Sequence, residues 1–171
     1  TDVATADFLN KLNEINQPIT VIFYGDHLPE IYPNSFDDSN NDLPLHETDY
    51  FIWSNAASPS SNTKLDPAIS SFTSSNYFMA LAATHMNAKV TPYLAMLTRL
   101  YEQVPAMSRV SFTKKWNQQG TTTYLDASGN VMPSESLSTD AKQLLNDYKL
   151  VQYDMTAGKN YLASTDFTKE L

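Results

Sequence analysis

Cysteine is absent from the 171-residue chain, which removes disulfide frameworks, thiolate metal sites and cysteine nucleophiles together, while leaving the compartment open. Glycine is scarce, four in all. No Gly-x-Ser-x-Gly elbow, phosphate-cradling loop or dinucleotide fingerprint occurs, which disfavours nucleotide-dependent chemistry. Positive charge is short as well. Eleven Lys and Arg stand against 19 Asp and Glu, a formal net charge of −8, and no basic cluster interrupts the excess, which argues against nucleic acid as a partner. Such a surface repels anions, so an anionic substrate must be held by a cation or by local donors. Long apolar runs are missing too. None approaches the roughly 20 residues that span a bilayer, and the polar start Thr1-Asp2-Val3-Ala4-Thr5 has no signal-peptide character.

The apolar content, 42%, is enough for a core, and one domain over residues 1–171 is expected. Phe8, Leu9, Leu12 and Ile15 recur at helical spacing before Pro18, which predicts an amphipathic helix over residues 5–16. Residues 19–24 form a β-branched and aromatic run closed by Gly25, the pattern of a buried strand, and residues 49–54 repeat it. Between them, residues 29–44 carry three prolines among Asn and Asp and read as a long loop. Ser74 or Ser75 opens a helix to about residue 86, and Thr91-Pro92 opens another to about residue 103, before Pro105. Residues 114–132 read as a peripheral hairpin around the turn at residues 126–130, and Ser138 opens a last helix toward Gly158. Helices alternating with apolar strands indicate an α/β fold.

The most informative tripeptide is Gly25-Asp26-His27, set where a strand runs into a loop, the edge of an α/β sheet where ligand sites form. Glycine there frees the backbone to turn Asp26 and His27 toward one point, and a carboxylate oxygen and an imidazole nitrogen together suit a divalent cation. Such mixed ligation favours manganese or zinc over calcium, while magnesium takes the carboxylate more readily than the imidazole. The plainer reading is that Asp26 caps a turn and His27 is an ordinary polar residue.

Other candidates are weaker. His46, Glu47 and Asp49 cluster before the second strand, but charged residues there are usually solvated. His85 falls near a helix end, where a capping or surface role is expected. Residues 126–130 lack the spacing and terminal glutamate of a calcium loop, so turn chemistry accounts for them. Ten tyrosines and two tryptophans are spread through the elements as core would be, with Trp53 and Trp116 open as glycan-stacking surfaces.

The segment Val21-Ile22-Phe23-Tyr24-Gly25-Asp26-His27-Leu28-Pro29 resembles the strand-plus-ligand motif of lipoteichoic-acid-synthase-type phosphoglycerol transferases, in the sulfatase and alkaline-phosphatase superfamily. Residues 47–55 resemble the family's next strand and residues 75–81 a later helix, with Thr91-Pro92-Tyr93 and residues 150–154 as further echoes. The likeness extends over most of residues 5–161, but only Gly25-Asp26-His27 is chemically specific.

The resemblance implies the carboxy-terminal portion of an alkaline-phosphatase-like, sulfatase-type fold, with a central sheet and packed helices. It makes Asp26 and His27 ligands of a divalent metal, typically manganese. The partner glutamate, a threonine nucleophile and a substrate-binding histidine are implied in segments before Thr1, so this chain alone is expected to be inactive. A lipid-linked phosphoglycerol donor, an envelope glycan or polymer acceptor, and a parent protein anchored at the extracellular face of the membrane follow from the same resemblance. The rival readings are a sulfatase or phosphoethanolamine transferase of the superfamily and a non-catalytic glycan-binding module.

Overall fold

The computed structural model describes residues 2–26, 46–109 and 122–169. The expected loop at 29–44 and the first part of the expected hairpin, residues 114–121, lie outside them. Helix α1, Asp2–Asn13, carries Asp2 in its first turn and Lys11 in its last, each opposite in sign to the dipole end it faces. No residue of α1 is fully buried: Leu9 and Leu12 are half covered and Phe8 is exposed. The helix expected over residues 5–16 runs earlier, so Ile15, the last of the apolar stripe, falls past its end, and little among the described residues packs on the rest.

Strand β1, Thr20–Tyr24, pairs antiparallel with strand β2, Tyr50–Ser54, in a register running from Thr20 opposite Ser54 to Tyr24 opposite Tyr50. The pair is a two-stranded ribbon, and its strands are half-buried rather than buried as expected. Only part of the ribbon is covered, so Phe23 and Tyr24 stay exposed. The Phe23 and Phe51 rings stack across it at 5.0 Å.

One buried amide joins α1 to the ribbon. Asn55 is fully buried, and its Nδ2 donates to the carbonyls of Leu12, Ile15 and Gln17 at 3.1, 3.0 and 2.8 Å. Its Oδ1 accepts from the Ile19 amide at 3.0 Å, and its own amide donates to the Ile19 carbonyl at 3.0 Å. The side chain therefore satisfies carbonyls at the helix end that would otherwise be orphaned.

The ribbon meets helix α3, Phe78–Met86, through a line of polar groups. Thr20 Oγ1 and Ser54 Oγ are 2.8 Å apart, and Ser54 Oγ lies 2.9 Å from His85 Nε2. His85 is buried, not at the surface as its place near a helix end suggested. It follows Leu81 by four residues and shares that residue's fully buried face.

The main core lies among α3, helix α4 at Pro92–Gln103 and helix α5 at Thr139–Thr156, where Leu81, Leu97, Leu100, Tyr101, Leu144 and Tyr148 interdigitate. The starts of α4 and α5 match their sequence signals, whereas neither Ser74 nor Ser75 caps α3, which begins at Phe78. Thr91 Oγ1 accepts from the Leu94 amide at 3.2 Å ahead of Pro92, and Ser138 Oγ accepts from the Ala141 amide at 2.9 Å. A 3-10 turn, Ser75–Tyr77, leads into α3, and left-handed Asn87 closes it. The short helix α2, Pro67–Ser70, capped by Asp66, was not anticipated.

The expected hairpin is present as β4, Thr123–Leu125, and β5, Val131–Met132, but a further strand, β3 at Ala106–Ser108, pairs with β4. It is not peripheral. Leu125 is buried, and Tyr124 and Met132 pack against the helical core. In its turn Asp126 Oδ1 accepts from the amides of Ser128 and Asn130 at 2.8 and 2.9 Å, so the carboxylate serves the turn, as expected, rather than a cation. Gly129 has a φ of 80°, and a β-carbon there would sit 3.0 Å from the Phe72 ring.

Two predictions follow from these contacts. Asn55→Ala leaves several part-buried backbone groups unpaired, and thermal or denaturant melts should show a loss of about 1–3 kcal/mol, set by the cost of unmet hydrogen bonds. Burial holds the His85 imidazole below its usual pKa. As pH falls through the ordinary imidazole range, near 6.5, the unfolded chain takes up the proton first and folded stability declines. His85→Gln should therefore lose less Tm than the unmodified chain between about pH 7.5 and about pH 5, in paired melts.

Candidate active site at the end of strand β1

Strand β1 delivers Tyr24, Gly25 and Asp26 to the wall of a cleft of about 340 Å³, a volume suited to a small ligand. Glu47 and Thr48, on the approach to β2, and Tyr50, its first residue, line the same cleft. Its floor is the segment 71–75 with Phe78, and its far wall is Met107, Ser108 and Arg109 on and after β3. Thr73 Oγ1 donates to the Pro105 carbonyl at 3.0 Å and the Met107 amide donates to Ser74 Oγ at 3.1 Å, which fastens floor to far wall. The Tyr50 hydroxyl donates to the Ser70 carbonyl and anchors the near side.

Gly25 is needed here for space. A β-carbon at this position would lie 2.3 Å from Thr48 Oγ1, so only glycine allows the two chain segments to approach so closely. Its backbone is not in the left-handed region; the expected freedom of the glycine is used as room for Thr48. Tyr24 and Tyr50 both contact Phe78, with ring centroids at 4.8 and 5.1 Å, and form an aromatic corner beside Asp26.

The sequence candidates divide as follows. Asp26 is exposed on the cleft wall, whereas His27 lies outside the described residues. His46 and Glu47 line this cleft while Asp49 lines a neighbouring one of about 320 Å³. All three are exposed, in keeping with the solvated role expected of them. His85 borders the second cleft. Trp53 is half-buried in β2, and Trp116 lies outside the described residues.

Among the described residues no three His, Asp or Glu side chains come close enough together to hold a metal ion. Asp26 offers one hard oxygen on a cleft wall at a strand end, and His27, the other expected ligand, lies outside the described residues. Arg109 was not singled out in the sequence. Its position in the cleft comes from β3, which carries no strand signal strong enough to place it.

The sulfatase family matches residues 1–88 of the chain. A structure of Streptococcus pyogenes phosphoglycerol transferase GacH, in complex with sn-glycerol-1-phosphate, aligns with a TM-score of 0.66 and 33% identity, covering 99% of this chain and 36% of that one. The chain thus spans 36% of that transferase's length. None of the curated proteins matches it. The resemblance read around Gly25-Asp26-His27 accordingly holds across the whole chain, and the mixed helices and small sheets match an alkaline-phosphatase-like neighbour. With the family matched over 88 of 171 residues and this architecture shared, the chain belongs to the sulfatase family.

Proposed function

We propose that this chain forms part of a metal-dependent phosphoglycerol transferase, which takes phosphoglycerol from a lipid-linked donor and passes it to a cell-envelope glycan or polymer. The observation that carries the reading is Asp26 on a cleft wall at the end of β1, in a chain 33% identical to a phosphoglycerol transferase over nearly all its length. In this reading Asp26 and His27 are two ligands of a divalent cation, manganese by family resemblance. The glutamate ligand and the threonine nucleophile come from a part of the enzyme that precedes Thr1.

A bound cation would neutralise phosphoryl charge and lower the pKa of a hydroxyl nucleophile. This chain's own residues do the rest of what is assigned to it. Gly25 leaves room for Thr48, so that Asp26 stands at the cleft wall. The Tyr24, Tyr50 and Phe78 rings offer an apolar face to glycerol or sugar carbons. Arg109, on the opposite wall, supplies positive charge to a phosphoryl group in a molecule that is otherwise acidic. The parent enzyme sits at the extracellular face of the membrane, anchored by helices outside this chain. No helix among the described residues is long and apolar enough to cross a membrane.

The test is transfer of phosphoglycerol by the full-length enzyme. Asp26→Ala and His27→Ala should each lower it by more than the roughly 10–100-fold that loss of a supporting group around a metal costs, with Tm nearly unchanged in the metal-depleted protein. The isolated chain should release no phosphoglycerol from a lipid-linked donor with manganese present. Full transfer by Asp26→Ala, or turnover by the isolated chain, overturns the reading.

A further inference from the structure

His85 is almost completely buried, at 2% exposure, yet only half of its ring is accounted for. Nε2 lies 2.9 Å from Ser54 Oγ, and the ring has no other hydrogen bond among the described residues. Nδ1 has no partner there but is not sealed off either, and His85 lines the cleft of about 320 Å³ between β2 and the segment 63–71. A buried imidazole thus presents one nitrogen to a cavity. A buried polar group left in that condition costs free energy that a ligand can recover.

The chemistry around that nitrogen selects the ligand. Ser54 Oγ, itself 2.8 Å from Thr20 Oγ1, either accepts from Nε2–H or donates to a bare Nε2. Nδ1 is then an acceptor in the first tautomer and a donor in the second. A hydroxyl satisfies both, whereas an ammonium or a carboxylate satisfies one. Burial holds the imidazole below its usual pKa, so the ring is neutral and offers no charge to an anion. Asp49 and Lys64 stand exposed at the same cleft without an ion pair or hydrogen bond among the described residues, and their charges cancel. The Thr63 hydroxyl is likewise uncommitted. The Ser70 and Ser71 hydroxyls donate to the carbonyls of Asp66 and Pro67 at 2.8 and 2.6 Å, which leaves their oxygens as acceptors. Ile52 and Leu65 add an apolar patch.

We propose that this cleft binds an uncharged, hydroxyl-bearing ring, a neutral sugar residue, with one ring hydroxyl on His85 Nδ1, others shared by Asp49, Thr63 and Lys64, and the carbon face on Ile52 and Leu65. The ligand class is read from the cleft itself and does not depend on the transferase reading. Only a link to the acceptor would rest on that reading: Thr48, Tyr50 and Ser71 line both clefts, so a ring held here lies beside the one that contains Asp26.

The experiment follows the His85 ring nitrogens by proton–nitrogen NMR while the chain is titrated with the methyl glycosides of glucose, galactose, mannose and N-acetylglucosamine. At least one should move the His85 signals to saturation. Asp49→Ala should weaken that binding about tenfold or more, as loss of a hydrogen bond to a charged group requires, and Thr63→Val should weaken it less. Both residues are exposed, so their replacement leaves the fold intact, and a melt of each variant confirms this. Added salt should change the affinity little, because the ligand carries no charge. Glycine and inorganic phosphate should leave the His85 signals unmoved. The proposal is overturned if no glycoside saturates, if one binds without moving the His85 signals, if Asp49→Ala and Thr63→Val both keep full affinity, or if glycine or phosphate binds as tightly as the glycoside. If the sugar binds while Asp26→Ala retains transfer in the full-length enzyme, the transferase reading fails alone; the reverse pair of results removes only this site.

Discussion

The side chain of Asn55 holds the structure to one register. Its amide nitrogen gathers three carbonyls from the end of α1 and the turn after it, while its oxygen and backbone pair with Ile19. Because strand side chains alternate between faces, a slip of one residue would exchange every face of the ribbon. Fixing Asn55 against Ile19 sets Thr20 opposite Ser54 and, at the far end, Tyr24 opposite Tyr50. Gly25 then falls beside Thr48 and Asp26 arrives on the cleft wall. A single buried amide at one end of the ribbon thus determines where a carboxylate stands at the other. Few alternatives satisfy so many backbone groups, since a planar amide offers two N–H donors and a carbonyl acceptor from one short side chain.

Features that depend on neighbouring residues were legible before the structure. Thr91 followed by Pro92, Ser138 before the last helix, and the Asp126 turn each act within a few positions, and each forms as read. The two ribbon strands were legible from their β-branched and aromatic runs. Their burial was not, because an apolar run reports what a strand can bury and not how much is packed against it; Phe23 and Tyr24 remain exposed. The strand β3 is three residues long, Ala-Met-Ser, and has no pattern of its own. It exists because β4 supplies partners for its backbone. Asn55 was not singled out, because an Asn just past a strand has no local pattern that marks it as a buried anchor. His85 is different: its spacing from Leu81 marks the inner face of a helix, a signal that a reading from the helix end alone misses. Asp26 was legible as a candidate since its motif is contiguous, while the cleft around it is assembled from four separated stretches that no local pattern brings together.

Charge is distributed so that sign changes over a short distance. The chain is strongly acidic, and the cleft beside Asp26 contains Glu47 on one wall and Arg109 on the other. The net charge of this chain therefore does not draw an anion from a distance, and an anion in the cleft would depend on close-range donors.

The contact between Gly129 and Phe72 joins two regions that seem separate along the chain. Phe72 belongs to the floor beneath Asp26, and its ring fills the space where a side chain at position 129 would go. The tip of the hairpin is therefore a buttress for that floor. A turn would ordinarily be a convenient place to graft a tag or accept sequence drift, but here a side chain at position 129 would press on a ring that lines the cleft. Labels intended to leave the chemistry undisturbed are better placed on the outward side of α1, whose surface nothing in the described chain leans against.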